Sequence, residues 1–142
     1  MRWLLLALFA LCACVTAPVS PSEKLAFDYG QAFLRRDLTE MQQMSTAQVT
    51  QLTPSVYYSS RKVVRTCPPQ PTKGGPEAQA VLILVGDQQN QYFEAFQVTV
   101  AHYGQQWLVI DAQHIKNPSG APMMYSRSCQ PIYGTYGGGT SY

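Results

Sequence analysis

Charge is scarce in this chain: 13% of its 142 residues are Asp, Glu, Lys or Arg, and the formal net charge is +2. A nucleic-acid footprint would show as clustered Lys and Arg. The pairs Arg35-Arg36 and Arg61-Lys62 are too small to make one, so nucleic acid is not an expected partner. Histidine is scarcer still, with two in the chain, and neither a Cys-x-x-Cys nor a His-x-x-x-His spacing occurs. No metal site of recognisable spacing follows. A Gly-x-Ser-x-Gly nucleophile elbow is missing. The run Gly137-Gly138-Gly139 ends a tail and opens no helix, which excludes a phosphate loop. No apolar run reaches the about 20 residues that a membrane-spanning helix needs. These absences point away from an enzyme and from any cofactor.

What is present at the start of the chain is a short apolar run over residues 3–15, preceded by one basic residue, Arg2. These are the parts of a signal peptide. The run closes on Leu11-Cys12-Ala13-Cys14, which resembles a bacterial lipobox: an aliphatic residue, a loose position, a small residue and a cysteine that is lipidated. The resemblance implies a signal peptide over residues 1–13, lipidation at Cys14, and an anchor and tether over residues 14–21. Cys12 stands where Ser, Ala or Thr is usual. The alternatives are an uncleaved anchor, or ordinary cleavage after Val15-Thr16-Ala17, which Pro18 opposes. Two or more acyl chains anchor a protein stably, and Val15 in place of Asp after the lipidated cysteine implies the outer membrane. The expected location is lipid-anchored, with the domain facing the periplasm.

Removal of residues 1–13 leaves about 129 residues, one domain's worth. Two cysteines then remain, Cys67 and Cys129. In an oxidising periplasm they read most simply as a disulfide. Two free thiols are the alternative, and a metal site has no spacing to support it. A bridge would close a loop of about 63 residues and contribute roughly 4 kcal/mol on the chain-entropy model.

Residues 22–116 carry the expected α+β domain, with two N-terminal helices packed on a curved antiparallel sheet. Pro21-Ser22-Glu23 reads as a helix start, with Ser22 as the cap and Glu23 at the positive end of the dipole. Leu25, Tyr29 and Phe33, flanked by Ala26 and Ala32, form an apolar stripe ending near Arg36. Asp37 with Glu40 has the capping-box pattern and opens a weaker helix that runs on to Leu52 and stops at Pro54. From Val56 the period alternates. Tyr57-Tyr58 and residues 62–66 suggest a first strand or a broken pair. Residues 67–77, with four prolines and two glycines, are expected to be a loop. Residues 78–85 read as a strand covered on both faces, followed by a turn at 86–90. A long return strand spans 91–103, a turn follows at 103–106, and a last strand covers 107–112. Residues 117–142 show no apolar periodicity and read as a Gly/Tyr-rich low-complexity tail.

Two helices followed by a curved meander resemble the nuclear-transport-factor-2-like (cystatin-like α+β) superfamily. The segment from Phe96 through Tyr103-Gly104-Gln105-Gln106-Trp107 to Asp111 is similar to that family's closing hairpin. The resemblance covers roughly residues 22–115 and implies one of two things: a small enzyme with an acid or base in the cone, or a non-catalytic envelope subunit. Candidates for the acid or base are Asp28, His102, Asp111 and His114, with a His102–Asp111 dyad as the sharpest arrangement. A cone plugged by Phe33, Phe96 and Trp107 would favour the non-catalytic form.

The function these readings favour is a non-catalytic cell-envelope lipoprotein acting through protein–protein contacts, as an accessory or structural subunit of a secretion, conjugation or other envelope assembly. Its partners are other envelope proteins and the membrane through the lipid, with no small-molecule ligand expected. Contact residues are expected at Tyr125, Ile132, Tyr133 and Tyr136, because aromatic and soft apolar side chains bury much area at an interface. The alternatives are a pocket protein of the same fold, binding a small ligand or acting as an isomerase or dehydratase, and an immunity or inhibitor lipoprotein.

Overall fold

A computed structural model of the chain describes residues 20–46, 61–73, 75–86 and 93–132. The first helix, α1 (Pro21–Arg35), starts because Ser20 is extended and its side chain accepts the Glu23 N–H, while Pro21 occupies a position where a missing N–H costs nothing. The cap therefore lies two residues before the expected Ser22, which is buried instead. Arg36 ends the helix in the left-handed region, φ 59°. Asp37 then caps α2 (Leu38–Met44), its Oδ1 accepting the Glu40 N–H at 3.0 Å. The Glu40 carboxylate does not turn back to close the box and instead pairs with Arg35 at 2.6 Å.

The second helix is shorter than expected. Ser45 is already extended and forms a bridge to Val109, so the helical path does not run through it. The expected continuation at 48–52 lies outside the described residues, as do Tyr57-Tyr58 and the 87–90 part of the expected turn.

Among the described residues seven strands follow: β1 (Lys62–Thr66), β2 (Gln70–Thr72), β3 (Gly75–Gly86), β4 (Glu94–Tyr103), β5 (Gln106–His114), β6 (Met124–Tyr125) and β7 (Pro131–Ile132). They form one curled antiparallel sheet, a half-barrel. β1 and β2 lie in succession along one side of β3, and β5 lies along the far side of β4. Register shifts at Val63/Arg65, Pro71/Thr72 and Thr99/Val100 bend the ladder and increase its twist. β2 corrects the expectation of a loop over residues 67–77. Pro71 is tolerated there because β2 pairs only with β3 among the described strands, and an edge strand can forgo a donor.

The α1 stripe meets the concave face. Ala26, Tyr29, Ala32 and Phe33, with Met41, pack against Val63, Val81, Ile83, Val85, Phe96, Val98, Val100, Val109 and Ala112. Each large aliphatic or aromatic side chain closed off this way contributes about 1.5–3 kcal/mol of transfer free energy. Gly30 lets the helix approach closely. A Cβ there would overlap Ile83 Cδ1 and lie 2.9 Å from Val63 Cγ2.

The opposite face carries a smaller cluster of Cys67, Leu84, Phe93 and Ala95, with Leu82, Ile115, Tyr125 and Cys129 against it. Its cover comes from residues 116–132, a stretch that from residue 117 on reads in the sequence as the start of a low-complexity tail. Asn117 Oδ1 accepts from the N–H groups of Ser119 and Ala121 and fixes a turn. The Met123 N–H donates to Ile115 at 2.9 Å and the Tyr125 N–H to Phe93 at 3.0 Å. β6 pairs with β4 at Met124↔Glu94, and β7 pairs with β6. The folded unit therefore runs past residue 116 to at least 132. The sequence shows no period there because two-residue strands are too short to make one.

Candidate functional site

Where β5 ends and the C-terminal cover begins, three polar side chains converge. Glu94 opens β4 on the register of Phe96, Val98 and Val100, which directs its carboxylate to the apolar concave face, and it is 8% exposed. A carboxylate buried there needs a partner, and Arg61, just ahead of β1, donates from Nη1 to Glu94 Oε1 at 2.6 Å. His114 is the cross-strand neighbour of Phe96 and stacks on it, ring centroids 4.6 Å apart and planes 15° from parallel. Phe96 in turn packs on Phe33, 5.3 Å between centroids.

His114 Nε2 lies 3.6 Å from Glu94 Oε2. That is too long for a hydrogen bond, and both atoms are shielded from solvent without a hydrogen-bond partner among the described residues. Burial lowers the His114 pKa below its ordinary value. Glu94 opposes that shift, while Lys116 and Arg61 add to it. The imidazole is therefore neutral at neutral pH, and its approach to Glu94 is not an ion pair.

Of the candidate residues read from sequence, only His114 enters this cluster. Asp28 is held by Lys24 one turn earlier on the outer side of α1, at 2.5 Å. His102 faces Trp107 across the β4–β5 ladder, rings 5.0 Å apart and edge-on. Asp111 is exposed and pairs with Thr99. The Thr99 and His102 positions are three residues apart along β4, roughly 10 Å, so the structure does not assemble a His102–Asp111 dyad. Glu94 and Arg61 were not singled out from sequence. For Glu94 a signal existed: a carboxylate on the apolar register of a strand is a buried charge that must be answered. Arg61 carried no such signal, because only the register brings it there.

Cys67 and Cys129 lie at a disulfide separation, S–S 2.06 Å. Tyr125 is half-buried against the smaller cluster, so it serves the fold before it can serve a partner. Ile132 is 50% exposed on β7. Cys14, Tyr133 and Tyr136 lie outside the described residues.

Among the described residues, apolar side chains pack together across the concave face. Phe33 and Phe96 are 4% and 3% exposed, and Trp107 packs partly buried against the same cluster. Among the described residues no group of three or more His, Cys, Asp or Glu could hold a metal ion, and no helix is long and apolar enough to cross a membrane. Both β2 and β7 carry a proline, Pro71 and Pro131, which has no backbone donor to offer a further strand. No protein-family model matches the chain, and neither a curated protein nor a solved structure matches it significantly.

Proposed function

We propose that this chain is a lipid-anchored protein of the bacterial outer membrane, with its domain in the periplasm, that works by contact with other envelope proteins and not by catalysis. The observation that carries the reading is the packed interior. In the nuclear-transport-factor-2-like layout proposed for this half-barrel, substrate would enter between helix and sheet, and Phe33 and Phe96 occupy that space at 5.3 Å centroid separation. Apolar side chains are instead available outside: Ile132 is 50% exposed and Leu38 54%. Pro131 disfavours strand addition at β7, so a partner at this end of the sheet would be held by side-chain contacts and not by extension of β7.

The test is truncation after Gln130, which keeps Cys129 and so the disulfide. The shortened protein should fold and localise normally but lose its envelope partner on co-purification from detergent-solubilised membranes. Retention of the partner would overturn the reading.

A second reading has one observation in its favour. The Arg61–Glu94–His114 cluster is the kind of buried polar array that tunes an acid or base in a pocket protein. If Glu94→Gln abolishes the phenotype while truncation after Gln130 leaves it intact, that reading replaces the first.

A further inference from the structure

Two arginines stand in matching places. Arg65-Thr66-Cys67 and Arg127-Ser128-Cys129 each put an arginine two residues before a cysteine of the bridge. With the Cys67 and Cys129 Cα atoms 5.9 Å apart, the bridge draws both arginines to one end of the sheet. The register adds a lysine. Val63 and Val85 face the concave core, so Lys62, the neighbour of Gly86, and Arg65, the neighbour of Leu84, lie on the opposite face. Arg127 reaches that face too, its guanidinium 5.9 Å from the centre of the Phe93 ring. Phe93 belongs with Leu84 and Ala95 to the smaller apolar cluster, and all three cationic residues are exposed around it. From β1 across β3 to β4 is two strand spacings, about 10 Å.

Among the described residues no carboxylate answers these cations. The acid–base pairs take up Lys24, Arg35 and Arg61 instead. Glu94 turns to the concave face, where Arg61 holds it. Asp111 is the neighbour of Thr99, four residues along β4 from Ala95 and so about 13 Å away. Glu77 lies near the opposite end of β3. Glu23, Asp28, Asp37 and Glu40 belong to the helices and their caps, across the sheet. Three unanswered cations on one face make a local positive field. The turn that carries Arg127 leads directly into β7 and the exposed Ile132, so the field adjoins the end of the sheet where contact is proposed. Cations spread over about 10 Å suit several carboxylates along a chain better than one phosphate group. The sheet also separates them from α1, the element nearest the proposed lipid anchor.

Resting on the contact role proposed above, we infer that Lys62, Arg65 and Arg127 form a docking surface for an acidic stretch of a partner polypeptide, with β7 supplying an apolar contact beside it. Complementary charge of this kind speeds encounter and fixes orientation, and salt weakens it. Arginine suits the task because its planar fork can meet both oxygens of one carboxylate. Phe93 packs beneath one such fork, that of Arg127.

The probe is an oligoglutamate peptide, titrated at low salt into the mature, disulfide-intact protein in non-ionic detergent micelles and followed by amide chemical shifts. Shift changes should concentrate at residues 62–66 and 126–129. Arg65→Gln with Arg127→Gln should weaken binding by roughly fivefold or more, and about 0.3 M salt should abolish it. Lys24→Gln with Lys73→Gln removes the same net charge elsewhere and should leave the affinity within about twofold. Equal weakening by the two pairs, shift changes centred elsewhere, or binding indifferent to salt overturns the docking surface. Should the double arginine variant not fold, Arg65→Gln alone must still weaken binding by about twofold or more, because it leaves Arg127 on Phe93. Arginine-dependent binding to vesicles of phosphatidylglycerol in phosphatidylcholine, with none to oligoglutamate, overturns the polypeptide assignment in favour of a lipid surface. Truncation after Gln130 keeps all three cations and should leave oligoglutamate binding unchanged, so its effect on the envelope partner tests the contact role separately.

Discussion

Opening the Cys67–Cys129 bridge should be the most costly small covalent change that this domain can suffer. The two cysteines are 62 residues apart in sequence, and the loop they close holds β2 to β6, with β1 wholly outside it. Closing a loop of that length removes about 14 cal/mol/K of unfolded-chain entropy, or about 4 kcal/mol at room temperature. Domains of this size have about 5–15 kcal/mol of net stability, so the reduced protein should survive only marginally. The cleanest perturbation is a thiol reductant, which leaves the packing of Cys67 against Leu84, Phe93 and Ala95 in place. With a urea slope of roughly 2 kcal/mol/M, the unfolding midpoint should fall by about 2 M. The double variant Cys67→Ala with Cys129→Ala should show a similar fall, enlarged by the lost sulfur contacts. A midpoint shift below roughly 0.5 M would refute the argument. It would mean that the bond is absent in the oxidised protein, or that the unfolded chain is already confined without it.

Three further outcomes are expected, two from the geometry and one from the sequence. Gly30→Ala should destabilise by about 1–3 kcal/mol on thermal unfolding, because the added Cβ meets Ile83 and Val63; stabilisation, as helix propensity alone would give, would contradict the close packing of α1. Acid titration of stability should show a loss assignable to His114. Its folded pKa is lowered, so the contribution is full above the ordinary histidine value, falls as pH drops through it, and levels off below the folded value. His114→Gln should flatten that segment of the curve. Cys14→Ser should block maturation, and globomycin should cause the wild-type precursor to accumulate; a soluble periplasmic protein starting at Pro18 or beyond would refute the anchor.

Local features of the fold were readable from local residues. The stripe Tyr29 and Phe33 on α1, the Asp37 cap and the β3–β4–β5 meander each follow from a period or a cap inside one short window. What was not readable depended on partners distant in the chain. Pro71 looked incompatible with a ladder until its strand proved to be an edge. Residues 116–132 carry too few strand positions to show a period, yet they cover Leu84 and Ala95 because Cys129 is tied back to Cys67. The His102–Asp111 pairing was open while the register was unknown. A bulge at Thr99/Val100 makes Thr99 the neighbour of Asp111, and His102 faces Trp107. Arg61 and Glu94 are 33 residues apart, and no spacing rule joins them.

The claim that this protein works by surface contact is tested most directly by a photo-crosslinking side chain placed at Ile132 in living cells. Ile132 is 50% exposed on β7. Ser119, exposed in the turn after β5, serves as the control position. The account predicts a discrete adduct with another envelope protein at 132, none at 119, and loss of phenotype on truncation after Gln130. Identical adduct patterns at 119 and 132, together with a phenotype abolished by Glu94→Gln and untouched by the truncation, would contradict it.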